Sequence, residues 1–448
     1  MASLNQVFRL QEQGTDLRTE VLAGLTTFLT MSYIIFVQPA VLSVDFAGQP
    51  TGLDFGAVVV ATCLGSALAS ILMGLYARYP IALAPGMGEN FFFVSVVMAL
   101  GGLGVANAWR TALGIVFISG VAFIILTVLR VREAVIDAIS PSMRNAIAVG
   151  IGLFIAFIGL RNGQVIVGKP GTLVGLNTHP AAADVLVFVV GLLVASVLLV
   201  RRVRGSLLWG IVASAGVGLV FGKIRVAGIV GLPHVAEPAL FRLDIAGALH
   251  PALLPFIIVF LFMGLFDTVG TLIGVAEQAG FLKDGHLPRA NRALLVDATG
   301  IAAGACFGTS TITCFIESAS GVAVGGRSGL TSVVAGLLFL LALLFGPLIG
   351  MIGNYAPITA PALVLVGVMM IQNARKIDWD DYSEAVPAFL TVVGIPLAYS
   401  IADGLALGFV AYPLIKLLSG RGREVRWLSY LMAALLVVYF VFVRNRLG

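Results

Sequence analysis

Hydrophobic stretches of membrane-spanning length follow one another along this chain with only short polar breaks between them. A bilayer's hydrocarbon core asks for about 20 predominantly apolar residues of helix. Segments able to cross or half-cross it fall at 20–43, 55–77, 81–99, 110–129, 142–160, 184–200, 206–222, 250–277, 291–306, 312–325, 329–350, 357–374, 384–401 and 404–419. The pattern predicts an all-α polytopic membrane protein of about fourteen transmembrane segments. A further apolar run, Trp427 to Val443, is a candidate extra terminal helix.

Two segments break the pattern. The third opens with Pro80-Ile-Ala-Leu-Ala-Pro85-Gly86-Met87-Gly88, then reads Glu89, Asn90 and three phenylalanines. The tenth opens with a β-branched alternation, Thr309, Thr311 and Thr313 on one side, Ile312 and Ile316 on the other. Glu317, Ser318 and a run of small residues follow. Alternation of this kind signals extended backbone, which is tolerated at membrane depth only where protein buries it or water reaches it. The third and tenth segments are offset by seven, an odd number, so equivalent halves would insert with opposite topology. Gly/Pro-interrupted segments in matching positions point to a transporter's midplane site built on inverted repeats. The repeat boundary is placed in the polar stretch 223–249.

Composition agrees and narrows the class. The chain of 448 residues is 59% hydrophobic and 11% charged, with mean hydropathy +1.05; soluble proteins carry about 25% charged residues. The 53 glycines are spread through apolar segments, where small residues let helices approach closely. The formal charge of +5 is no nucleic-acid signal, because the basic residues sort by side. With the N-terminus cytoplasmic, the inner segments hold Arg9, Arg18, Arg78, Arg130, Arg132, Arg144, Arg201, Arg202, Arg204, Lys283, Arg289, Arg292, Arg327, Arg375, Lys376, Lys416, Arg421, Arg423 and Arg426. The outer loops hold only Arg110, Arg161, Lys169, Lys223, Arg225 and Arg242. That bias orients the chain in the plasma membrane. Arg444 and Arg446, past Val443, argue against a full final crossing. Residues 1–20 are polar, without an h-region or cleavage site, so no removable signal peptide is expected. Cys63, Cys306 and Cys314 are isolated, which implies neither disulfide nor metal.

The informative residues are acids out of place. Glu89, Asp267, Asp297 and Glu317 fall inside apolar segments, where a charge costs on the order of 2.5–3.5 kcal/mol at the bilayer centre. Asp267 lies midway along the eighth segment with Thr268 beside it and Thr271 four residues on, sharing its helix face. Gly264 and Gly274 narrow that face. Asp297, in the ninth segment, suits either a structural hydrogen-bond acceptor or a proton-handling group. Glu89 suits a helix-start cap as well as a site residue. No lysine or arginine faces these acids from mid-membrane, and all four histidines lie in loops or at segment ends. A carboxylate in low dielectric without a cation is costly to keep charged, which suits a proton-coupled carrier; sodium stays open as the coupling ion. Carboxylates, threonines and an amide fit a flat polar heterocycle, since one carboxylate accepts two parallel N–H bonds. Tyr33, Phe36, Phe91, Phe92 and Phe315 are candidates to stack on such a ring. The missing cation counts against an anionic substrate. Polarity confined to mid-membrane breaks counts against a channel, and the lack of a nucleophile–base pair or metal cluster counts against an enzyme.

Five stretches together resemble the AzgA-type purine permeases of the nucleobase–cation symporter superfamily (the xanthine/uracil permease family in the broad sense). They are GTDLRTEVLAGLTTFLTMSYIIFVQPAVL (14–42), ALAPGMGENFFF (82–93), LFDTVGTLIGVAEQAG (265–280), GTSTITCFIESASGVAVGGRSGLT (308–331) and IDWDDYSEAVPAFLT (377–391). The resemblance implies two inverted repeats of seven segments, with short strands in the third and tenth. It implies a core domain (1–130 and 245–350), a gate domain (131–225 and 351–420) and a tail (421–448), and a homodimer formed through the gate. It further implies that Asp267, Glu317 and Asn90 contact the purine and that the acids serve proton coupling. The candidate substrate residues are therefore Glu317, Asp267, Asn90, Glu89, Thr268, Ile316, Ser318 and Thr271. Asp267, Glu317 and Asp297 are the coupling candidates, with no metal and no cofactor beyond the coupling ion. Two departures stand out: the family's PGMGLNAFF reads PGMGENFFF here, adding Glu89 and the bulk of Phe91, and a commonly acidic position is Gly264. The expected activity is proton-coupled import of guanine, hypoxanthine or adenine by alternating access. The expected partners are that substrate and membrane lipid, not nucleic acid. Uracil, xanthine or an anion on the same fold are the alternatives, then a channel.

Overall fold

The longest apolar runs become continuous helices, and the interrupted ones do not. The structure, a computed structural model, describes residues 6–129, 139–169, 171–179, 181–226, 228–281 and 287–438. Arg130, Arg132, Lys283, His286, Arg444 and Arg446 lie outside the described residues. Among those described, seven helices are long and apolar enough to cross a bilayer.

The first segment consists of α1 (Leu17–Met31) and α2 (Ile34–Leu42), joined through Ser32 and Tyr33, which keep right-handed helical angles, so that the two form one span. Asp16 caps α1 by accepting from the Thr19 N–H, and Asp54 likewise caps α3 (Phe55–Leu72). The third segment is a short strand, β1 (Leu83–Pro85), followed by α4 (Met87–Gly102). Then come α5 (Ala108–Val128) and α6 (Pro141–Asn162), the latter capped by Ser140 with proline at its first position. A hairpin of β2 (Ile166–Lys169) and β3 (Leu173–Leu176), unmarked in the hydropathy pattern, precedes α7 (Ala183–Val200) and α8 (Ser206–Val220).

The second half repeats the plan. It contains α9 (Leu254–Ala279), α10 (Ala290–Phe307), a strand β4 (Ile312–Cys314) leading into the short α11 (Ser318–Ala323), and α12 (Gly329–Ala342). The stretch 329–350, expected as one helix, is divided into α12 and α13 (Gly346–Gly353). After α14 (Ala356–Met370), α15 (Tyr382–Leu397) and α16 (Ile401–Leu418), the terminal apolar run forms α17 (Trp427–Val438), and its continuation lies outside the described residues.

The strands of the two broken segments meet. β1 and β4 pair antiparallel, Leu83 opposite Cys314, Ala84 opposite Thr313 and Pro85 opposite Ile312. Two strands at membrane depth leave open edges, which must be satisfied by protein. Ser70 of α3 does this for β1, its hydroxyl donating to the Leu83 carbonyl at 3.1 Å and accepting from the Leu83 N–H at 2.9 Å. Ser318 accepts from the Ala82 N–H at 3.0 Å. Ile312 points to the packed side, against Gly65, where an added Cβ would lie 2.4 Å from its terminal methyl and require that methyl to move.

Helices sort into two packed groups. α6 packs on α14 and α15, α15 on α16, and α7 on α8 and α14. In the other group α5 packs on α10 and α9, and α12 on α1 and α3. The tightest crossing in that second group joins Gly74 and Gly329: a Cβ on Gly329 would fall 1.9 Å from the Gly74 carbonyl oxygen.

Candidate functional site

The alternation of β4 gives it two chemically different sides. Ile312 goes to the packed side and Thr313 to the other, where its hydroxyl donates to Asp267 Oδ2 of α9 at 3.1 Å. Glu317 sits where the strand turns into α11 and does not cap that helix with its side chain. Its Oε1 instead accepts from the Tyr33 hydroxyl at 2.9 Å, so the joint of the first segment meets the break of the tenth. Thr30 reinforces the meeting, 2.8 Å from the Ser320 hydroxyl and 3.4 Å from the Glu317 carbonyl oxygen.

Glu89 comes to the same place from the third segment. It is 3% exposed. A Cβ on Gly86 would lie 2.3 Å from Glu89 Oε2 and 2.9 Å from Thr313 Oγ1, so both groups rest against the Gly86 α-carbon. Asp267 is near enough to Glu89 and to Glu317 for their charges to act on one another. Among the described residues, no ion pair joins a lysine or arginine to any of the three.

One face of α9 leading away from this cluster is exposed. Asp267, Gly270 and Glu277 are exposed and Gly274 is half-buried, positions that share one face of α9 by their spacing of three and four. Ile316, 47% exposed, lies across from Gly274. The open face runs toward the Ala279 end of α9. On the opposite face of the membrane the way is filled by rings. Phe46 stacks on Phe91 at 6.3 Å and meets Phe154 at 5.5 Å and Tyr399 at 5.4 Å edge-on, and Phe154 meets Tyr399 at 5.3 Å. Arg161 lies over the Tyr399 ring, donates to its hydroxyl at 2.7 Å and also donates to the Phe46 carbonyl.

Several candidates lie elsewhere. Asp297 accepts from the Thr268 hydroxyl at 2.5 Å and from the Cys314 N–H at 2.9 Å, so both its oxygens are engaged in joining α10 to α9 and β4. Thr268 accordingly faces Asp297, and Ser318 faces Ala82. Thr271 is buried. Asn90 is fully buried, its carbonyl accepting from Ser310, which also accepts from Gln38 at 3.2 Å. Phe91, a candidate to stack on substrate, belongs to the aromatic cluster, and Phe92 packs on Phe260 at 4.6 Å. Tyr33, singled out only as a ring that might stack on substrate, is the partner of Glu317.

A helical membrane protein with crossed broken segments, and acids beside an exposed helix face, is a membrane carrier. The chain belongs to the Permease family: that family's model matches residues 18–407. It is 44% identical over 445 residues to the Guanine/hypoxanthine permease PbuG of Bacillus subtilis, covering 98% of this chain and 99% of that one. It is 42% identical over 441 residues to the Adenine permease AdeP of Escherichia coli, covering 98% and 96%. Among solved structures, the transmembrane domain of a cyanobacterium bicarbonate transporter BicA superposes with TM-score 0.64 at 14% identity, covering 88% of this chain and 97% of that one. That likeness is one of fold.

Proposed function

We propose that the protein imports purine nucleobases, coupled to protons, by alternating access. The observation that carries the reading is the convergence of Asp267 and Glu317, with no ion-paired lysine or arginine among the described residues, beside an exposed face of α9. A neutral purine offers ring N–H groups, and a carboxylate accepts two of them in parallel. The names of the relatives, one for guanine and hypoxanthine and one for adenine, support the class of substrate without choosing among its members. Asn90 reaches the substrate only if its bond to Ser310 exchanges, and Glu89 approaches it through Thr313.

A carboxyl group that loses its proton on one side of the membrane and regains it on the other supplies the coupling. Segments one to four and eight to eleven carry the substrate, and segments five to seven and twelve to fourteen act as the gate. The bias of arginines toward the inner segments supports a cytoplasmic N-terminus, and with it an exposed α9 face that opens to the cytoplasm.

Proteoliposomes test this directly. Counterflow of radiolabelled guanine, hypoxanthine and adenine should occur, and an acid-outside pH gradient should accelerate net uptake. A demand for a sodium gradient would overturn proton coupling. Counterflow with uracil or bicarbonate but no purine would overturn the substrate class.

The aromatic cluster gives a second test. Phe46 and Phe91 belong to the proposed carrying group, Phe154 and Tyr399 to the proposed gate, so outward opening must part them. Phe46→Cys combined with Tyr399→Cys, bridged by a short bis-methanethiosulfonate that forms a disulfide with each thiol and expels methanesulfinate, should stop uptake, and reductant should restore it. Full uptake by the cross-linked protein would show that the cluster never opens.

A further inference from the structure

At the joint of the first segment, Ser32 and Tyr33 carry α1 into α2 with right-handed helical angles. Neither proline nor glycine stands at Ser32–Tyr33, and Pro39 lies well inside α2. Tyr33 faces the tenth segment from this joint. Its side chain is 2% exposed, and its hydroxyl donates to Glu317 Oε1 at 2.9 Å. Thr30, on the preceding turn, holds Ser320 and the Glu317 carbonyl. Backbone and side chain of Glu317 are thus both gripped from the joint.

We propose that Tyr33 is a positioning residue of the carrier. It fixes Glu317 by one oxygen and leaves Oε2 to the substrate. The proposal rests on the reading of Glu317 as the substrate carboxylate. A phenol suits the task for a physical reason: its oxygen both donates and accepts. It donates to the carboxylate, and it accepts from the carboxylic acid once Glu317 is protonated, so the same contact serves both states of a transport cycle. A threonine or serine could do the same chemistry but could not reach across the joint, and a lysine would hold the carboxylate charged. Without the hydroxyl, Glu317 would have to be ordered by the substrate itself, and ordering a flexible group on binding weakens affinity.

Tyr33→Phe isolates the effect, because it keeps the ring and its packing and removes only the donor. Loss of one hydrogen bond to a charged group should raise the KM for purine uptake roughly ten- to hundred-fold, with Vmax within about two-fold of wild type. A purely structural tyrosine would instead lower the melting temperature and the amount in the membrane while leaving KM unchanged, and that result would overturn the proposal. Direct binding of radiolabelled purine to the purified protein separates the two layers of the argument. If Glu317→Ala abolishes binding and Tyr33→Phe leaves it intact, the positioning role fails alone. If Glu317→Ala itself binds purine normally, the underlying reading of the site fails. If both weaken binding, Tyr33→Phe added to Glu317→Ala should weaken it no further; additional loss would show that Tyr33 acts independently of Glu317.

Discussion

Replacing Glu317 or Asp267 with alanine is expected to abolish purine uptake while the protein still reaches the membrane. Each carboxylate is positioned by a single neutral hydroxyl, Tyr33 for Glu317 and Thr313 for Asp267, which takes one lone pair and leaves the other oxygen and a second lone pair for substrate. Two hydrogen bonds to a charged acceptor contribute about 1.5–3 kcal/mol each. Losing both weakens binding at least about a hundred-fold, by the rule of roughly 1.4 kcal/mol per factor of ten. The fold should tolerate the change. Removing an acid from mid-span relieves an insertion penalty on the order of 2.5–3.5 kcal/mol, and the hydroxyl left behind costs about 1–3 kcal/mol, so the two effects nearly cancel. Radiolabelled uptake, set beside the quantity of protein in the membrane fraction, reads both outcomes. Wild-type uptake in both variants would remove these residues from the site.

That prediction needed the structure in some respects and not in others. Helical spans are legible because lipid demands long apolar runs, and the tenth segment is legible because its threonines alternate with isoleucines at a strand's period. Asp267 and Glu317 are legible because an acid in an apolar run is expensive. Direction is what the chain does not display. Asp267 and Thr268 are adjacent, yet a helix turns about 100° per residue, and one lies on the exposed face of α9 while the other faces Asp297. Asn90 follows Glu89 and points to Ser310 instead. The joint at Tyr33 is invisible for a different reason. Its hydropathy runs on unbroken, and the contact that gives Tyr33 its use is made 284 residues away. The motif resemblance marked Phe91 as unusual, but only packing against Phe46 and Phe154 shows that the change falls on the sealed face rather than beside the acids.

Glu20 closes the polar N-terminal stretch of the sequence, and its substitution is expected to be among the most damaging in the chain. It is fully buried. Its Oε1 accepts from the Arg327 and Ser328 N–H groups at 2.8 and 3.1 Å, and its Oε2 from the Thr331 N–H and hydroxyl at 3.2 and 2.6 Å. These donors belong to the entry of α12, where the first turn of a helix leaves N–H groups without intrahelical partners and favours a negative charge. One carboxylate from α1 therefore completes the start of the eleventh segment, beside the Gly74–Gly329 crossing that allows no side chain. Glu20→Ala strands three backbone donors and a hydroxyl away from water, at about 1–3 kcal/mol for each that cannot relax. Even if half find new partners, the loss is at least about 2 kcal/mol, a large fraction of the stability of an ordinary fold. Glu20→Gln should fall between wild type and Glu20→Ala, because its amide oxygen keeps one pair of donors while its NH2 opposes the other. Thermal unfolding of the purified protein in detergent checks the order. The KM of whatever protein remains folded should be unchanged, since Glu20 touches neither Asp267 nor Glu317. A melting temperature for Glu20→Ala equal to wild type would mean that α12 does not depend on this cap.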